Sequence, residues 1–278
     1  MSSAQDVDVT SGSAPLAVRH GGDRSGPALL WLHGYTMDSS LWQQIWQLMP
    51  RWHHVAVDLP GHGDSAPIPP GLSLDALADT VAGVAADHQA RHCVALCFGS
   101  CVALQWAIRH PESVDQLSIA APTLGGVLAE PEAAARYKQL AMLKRFAGPG
   151  EQMAGLWMSS PPNIFRGVSR YPEAAERVRQ VLTRHRWDEL VSGAMGRLTG
   201  SVQTPEMLGG IRTPLQVIVG TEDLDSMLVN AATLQAAVGT ATVHRLDGVG
   251  HLPPIEVPTT VAPLLGAFFG FPGDAAAE

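Results

Sequence analysis

The chain has 278 residues, 46% of them hydrophobic and 16% charged, so it can bury a large core and its length suits one α/β domain carrying an insertion. Its 18 Lys and Arg against 26 Asp and Glu give a net charge of −8, which argues against nucleic acid and anionic membrane surfaces as partners. The opening MSSAQDVDVT lacks a basic start followed by an apolar stretch, and no run approaches the roughly 20 apolar residues of a membrane helix.

Taken in chain order, Ala28–Leu32 reads as a buried strand. Ser39 or Ser40 can then cap a helix whose Leu41, Ile45, Leu48 and Met49 follow helical spacing up to Pro50, with Trp42 and Trp46 widening the apolar face. His54–Asp58 is the next strand, and Leu72–Asp87 reads as a helix with Leu74, Leu77, Val81 and Val84 inward. Residues 92–96 read as a strand and Val102–His110 as a helix ended by Pro111, with Cys97-Phe98-Gly99-Ser100 in the turn between them. From about Leu124 to about Ser201 the pattern turns helical, opened by Pro131-Glu132 and broken at Gly148-Pro149-Gly150 and at Ser159–Pro162. Strand patterns resume at Pro214–Val219 and Ala241–Leu246, and Thr259–Phe269 reads as a closing helix. The tail Asp274–Glu278 is expected to be disordered. This alternation predicts an α/β fold with a mostly parallel sheet: a core over 1–123, a helical cap over 124–205 and a second core segment over 206–278.

Cys93, Cys97 and Cys101 contain no Cys-x-x-Cys pair, so neither a disulfide framework nor a zinc knuckle is indicated, and a cytoplasmic setting with reduced thiols is expected. A strand that turns sharply into a helix can present one side chain at the helix N-terminus, provided the residues two before and two after are small. Ala95-Leu96-Cys97-Phe98-Gly99 meets that rule, whereas centring the turn on Ser100 would put Phe98 and Val102 at the tight positions. The helix N-terminus also favours a thiolate, because unpaired backbone N–H groups and the helix dipole stabilise negative charge. The bland alternative is a buried cysteine that packs as a small hydrophobe.

Four further segments stand in a telling order: His33-Gly34-Tyr35, Asp58-Leu59-Pro60-Gly61-His62-Gly63-Asp64-Ser65, Gly220-Thr221-Glu222-Asp223 and Gly248-Val249-Gly250-His251. With the turn at Cys97 they resemble the α/β-hydrolase superfamily, in particular its capped lactonase, esterase and haloperoxidase-like branch, with Cys where the usual nucleophilic Ser stands. The resemblance implies an eight-stranded, mostly parallel sheet flanked by helices, with the cap inserted after strand 6. It implies a catalytic triad of Cys97, His251 and Asp223, with Asp225 as the alternative acid, and an oxyanion hole made by the backbone N–H groups of Tyr35 and Phe98. Glu222 and Asp247 read as solvated loop carboxylates, and His62 as structural. No carboxylate–His cluster has a metal-ligand spacing, so neither metal nor other cofactor is expected.

A thiolate is a good leaving group, so a cysteine suits thioesters, enol esters and strained lactones, and the expected reaction is hydrolysis of a small-molecule acyl substrate through an acyl-cysteine. Two alternatives stay open: an acyltransferase or cyclase that passes the acyl group to an amine or hydroxyl, and a non-catalytic ligand-binding member of the fold. The cap residues Met142, Phe146, Met153, Leu156, Trp157, Met158 and Phe165 offer soft apolar surface, and Trp157, Met153 and Met158 together with His33 are the candidate pocket residues.

Overall fold

A computed structural model describes residues 7–9, 16–127 and 130–270. The short apolar runs become the strands β1 (Val7–Val9), β2 (Ala17–Gly22), β3 (Ala28–Leu32), β4 (His53–Val57), β5 (His92–Leu96), β6 (Gln116–Ala120), β7 (Leu215–Gly220) and β8 (Ala241–Leu246). They form one sheet in the order β1-β2-β4-β3-β5-β6-β7-β8. β2 pairs antiparallel with both β1 and β4, and the other neighbours run parallel. Central strands such as ALLWL in β3 and LQVIVG in β7 are apolar throughout because both sheet faces are covered. The edge strand β8 stays half exposed.

The helices are α1 (Gln43–Trp46), α2 (Leu74–Asp87), α3 (Phe98–Arg109), α4 (Pro131–Ala147), α5 (Glu151–Met158), α6 (Pro172–Arg184), α7 (Asp188–Ser192), α8 (Ala194–Thr199), α9 (Pro205–Gly209), α10 (Asp225–Ala237), α11 (Pro253–Glu256) and α12 (Pro258–Phe269). One core gathers Leu30, Leu77, Val81, Trp106 and Leu234 from the sheet, α2, α3 and α10. A second, on the opposite side, joins Trp31, Trp46 and Leu265 to Met153, Trp157 and Leu182 of the insertion between β6 and β7. The cap is thereby packed on the sheet side that carries four tryptophans from the first 52 residues, Trp31, Trp42, Trp46 and Trp52.

Three local expectations differ from the structure. The segment before Pro50 is a tight 3-10 turn, Ser39–Trp42, followed by α1, and its cap is Asp38, whose carboxylate accepts from Ser40 N at 3.0 Å. The change from three to 3.6 residues per turn shifts the phase, leaving Leu48 38% exposed while Met49 is buried. Helix α3 begins at Phe98 rather than Val102, because the sharp turn is itself the first helical turn despite its Gly99. Met142 and Phe146 are 60% and 87% exposed, since α4 buries a narrow stripe made by Ala133, Arg136 and Leu140. The tail Asp274–Glu278 lies outside the described residues.

Candidate active site

Strand β5 ends at Leu96, and Cys97 takes φ 52° and ψ −118°, a conformation that L side chains rarely adopt. Glycine makes the bend sterically possible: a Cβ on Gly99 would stand 2.4 Å from Leu32 O and 2.7 Å from His33 O. Backbone bonds then pin it, with Cys97 N donating to Ala120 O at 3.0 Å and Ser100 N donating to Cys97 O at 2.9 Å. Ser100 is fully buried, and its hydroxyl donates to Cys97 O and accepts from Thr123 N at 2.8 Å. That hydroxyl is committed to the backbone.

His251 follows β8 on the loop Asp247–Gly250. Its Nδ1 donates to Asp223 Oδ1 at 2.6 Å, and the carboxylate, completely buried, also accepts from Leu224 N at 2.7 Å. The partner is therefore Asp223, while Asp225 opens α10. Glu256 locks the loop from the other side. Its buried carboxylate accepts from Gly250 N at 2.8 Å and from Leu252 N at 2.9 Å, bracketing the histidine. Burial pushes the Glu256 carboxyl up against the opposing pull of those two amides. This role escaped the sequence reading, although a carboxylate inside the apolar run Leu252–Val257 is a usable signal.

Burial disfavours charge on Cys97, but the His251 imidazole, its hydrogen bond, the Thr123 hydroxyl and the Tyr35 backbone amide outweigh that cost and bring the thiol below the ordinary cysteine range. The complementary shift falls on His251: burial opposes its proton, and Asp223 together with Cys97 raises it well above the usual imidazole value. The other two cysteines differ. Burial raises Cys93, and it pushes Cys101 up to about 12.

A small cavity lies between the bend at Cys97 and the cap. Gly34, Tyr35, Met37, Cys97, His251 and Leu252 supply its floor, and Tyr137, Trp157, Ile164 and Phe165 its cap side. The Tyr35 amide points at Cys97 Sγ, and Phe98 N is the first amide of α3, one of those a helix leaves without an intrahelical acceptor. Of the four pocket candidates, Trp157 lines the cavity. Met153 is fully buried inside the cap packing, and Met158, half-buried, is not part of the lining. His33 faces away as well: it donates from Nδ1 to Gly34 O at 2.8 Å and accepts from Leu59 N at 2.9 Å, tying the loop after β3 to the turn after β4.

A second buried cluster joins cap to core. Glu189 of α7 accepts from the Tyr35 hydroxyl at 3.1 Å and from His185 Nε2 at 3.0 Å, and the His185 ring stacks on His62 with centroids 4.9 Å apart. The one local signal of this cluster in the sequence is the His185-x-x-x-Glu189 spacing, which the sequence analysis does not single out. Among the described residues no group of three His, Cys, Asp or Glu is arranged to hold a metal ion.

The geometry meets its counterparts in known proteins. Two curated relatives span most of the chain: a 2-succinyl-6-hydroxy-2,4-cyclohexadiene-1-carboxylate synthase of Enterobacter sp. (strain 638), 28% identical over 86% of this chain and 90% of its own, and a pimeloyl-[acyl-carrier protein] methyl ester esterase of Chromobacterium violaceum, 26% identical over 82% and 88%. The enol-lactonase of Burkholderia xenovorans LB400 shares the fold with a TM-score of 0.77 at 20% identity, covering 95% of this chain and all of its own. These proteins correct the expectation of an acyl-cysteine enzyme. They are named for synthase, ester and lactone chemistry and give no support to a cysteine nucleophile, and residues 121–130, which follow β6, contain no cysteine. The thioester-cleaving and acyl-transferring forms of that expectation fall with it. What stands is the fold and its family: the model of the alpha/beta hydrolase family matches residues 29–264, and the chain belongs to that family.

Proposed function

We propose that the protein hydrolyses the ester or lactone bond of a small molecule, with His251, Asp223 and Cys97 at the reacting centre. The observation that carries this reading is the 2.6 Å bond between His251 Nδ1 and a fully buried Asp223, with His251 on the wall of a cavity that Cys97 also lines. The names of the Chromobacterium and Burkholderia proteins lend it support.

The chemistry follows from the arrangement. Asp223 keeps the proton on Nδ1, so that Nε2 faces the cavity. A substrate carbonyl above Cys97 directs its oxygen toward the amides of Tyr35 and Phe98, which face the charge that develops as the carbon becomes tetrahedral. With the proton that the pair shares resting on Cys97 Sγ, His251 takes a proton from the attacking water and returns it to the leaving oxygen as the C–O bond breaks, yielding an acid and an alcohol, or a hydroxy acid from a lactone. Cys97 is the hydrogen-bond partner of His251 in this relay and touches the carbonyl. The three unpaired cysteines suit a reducing, cytoplasmic setting, which belongs to the same proposal.

Hydrolysis of short methyl esters and a five-membered lactone, followed by pH-stat, tests the reading. Turnover by the protein and its loss in His251→Gln, with the circular dichroism unchanged, are expected. No turnover on any of these substrates, or full turnover in His251→Gln, contradicts it.

A further inference from the structure

We infer that the site selects a small, uncharged acyl group and excludes both long chains and acyl groups bearing a carboxylate. The inference rests on the ester or lactone reading and names the substrate class of that site. Room is the first ground. The cavity has a volume of only about 40 Å³, which a short acyl group or a small ring already fills.

The walls supply the second ground, because they are rings already braced against one another. Tyr35 and Tyr137 have centroids 6.0 Å apart, Tyr137 and Trp157 5.4 Å, and Trp157 and Phe165 5.7 Å. Close-packed rings of this kind do not yield to a longer chain without rotamer changes in several of them.

Charge is the third ground. No Lys, Arg, Asp or Glu lines the cavity. Two polar tips of the lining are turned outward and used there: the Tyr35 hydroxyl donates to Glu189, and Trp157 Nε1 donates to Thr36 Oγ1 at 3.0 Å. Two guanidinium groups of the cap are spent as well, Arg136 on Pro161 O at 2.7 Å and Arg170 on Glu222 at 2.8 Å and on Gly248 O. A carboxylate carried in on the acyl chain would therefore lose its hydration with no lysine or arginine to replace it, since the one imidazole in the lining is already paired with Asp223.

The test compares methyl esters on the full chain: acetate, butyrate, pentanoate and octanoate for length, and pentanoate against monomethyl succinate, alike in length, for charge. The kcat/KM of butyrate is expected to exceed that of octanoate by about tenfold or more, and pentanoate to exceed monomethyl succinate by about 100-fold. Trp157→Ala is expected to lift octanoate relative to butyrate while leaving the discrimination against monomethyl succinate in place. Octanoate or monomethyl succinate turned over as well as its short or neutral counterpart overturns the inference and leaves the ester reading standing. Failure to cleave any member overturns both.

Discussion

Two buried histidine–carboxylate pairs sit a short way apart in this molecule, and they are close to identical as pairs. His251 and Asp223 meet at 2.6 Å with side chains 5% and 0% exposed; His185 and Glu189 meet at 3.0 Å with 1% each. Their surroundings separate them. His251 lines a cavity and reaches a thiol, whereas His185 is wedged between the rings of His62 and Trp187, both at 4.9 Å, and its carboxylate partner takes the Tyr35 hydroxyl. A proton on the first pair can be handed to a bound molecule. The second pair has protein around it and works as a fastener, joining α7 of the cap to the loop whose Tyr35 amide faces Cys97. Possession of the pair is thus no sign of chemistry; the open side of the imidazole is.

Parallel substitution separates the two pairs most sharply. His251→Gln is expected to lower kcat by roughly 10²–10⁴-fold, the usual contribution of a proton-transferring residue, and His185→Gln by less than about tenfold. Equal losses in steady-state kinetics would erase the distinction drawn between the two pairs. Glu189→Leu is expected to reverse the ranking when stability is read instead: it strands the Tyr35 hydroxyl and His185, at a cost of about 2–4 kcal/mol in chemical denaturation. Glu189→Gln keeps an acceptor and recovers most of that loss, and a Leu variant as stable as the parent would remove the fastening role.

A smaller effect concerns the thiols. Because the imidazole, Thr123 and the Tyr35 amide stabilise its thiolate, Cys97 is expected to react with methyl methanethiosulfonate with a pH midpoint below the ordinary cysteine value of 9.0, and His251→Gln to move that midpoint upward. Cys93 and Cys101, raised by burial, are expected to stay unlabelled in the folded protein, and mass spectrometry of the peptides distinguishes the three sites. An unshifted midpoint in the variant would dissolve the coupling between residues 97 and 251.

The most diffuse effect belongs to histidines with no chemical duty. His54 is buried, accepts from Trp31 Nε1 at 3.1 Å and donates to Met49 O at 2.9 Å, and burial lowers it to about 3. Below its unfolded value of 6.5 the unfolded chain binds a proton that the folded site refuses, so this contribution to stability is intact above pH 6.5 and is lost as the pH falls from there toward about 3. His33 and His62, lowered by the same burial, act in the same direction. Each such group contributes a slope of about 1.4 kcal/mol per pH unit inside its window, measurable by urea unfolding, and a flat profile between pH 6.5 and 5 would contradict the neutral, buried assignment.

The parts of the molecule legible in the sequence are those set by local rules. Strands β3, β5 and β8 begin and end where the apolar runs do, and the bend at Cys97 announces itself through the small residues Ala95 and Gly99. His251 and Asp223 stand out through short loop motifs, and the structure brings them together across 28 positions. What stayed hidden depends on how elements face one another. Nothing local tells which side of α4 lies on the core, so Met142 and Phe146 seemed available for the pocket while Tyr137, which does line it, went unnoticed. Glu256, Glu189 and His185 were likewise unmarked, because each acquires its role from partners on another segment or from the amides of a loop that only the fold positions. The thiol is the opposite case: Cys97 marks the bend, but a residue type at one position does not specify a reaction, and the chain's relatives give no support to an acyl-cysteine.

The most direct measurement is a double-mutant cycle on kcat/KM for methyl butyrate with His251→Gln, Asp223→Asn and the two combined. If Asp223 acts through the imidazole, the combined variant is no slower than His251→Gln alone, the two losses failing to multiply. Losses that multiply fully would show the two residues working independently and would contradict a proton relay through His251 and Asp223.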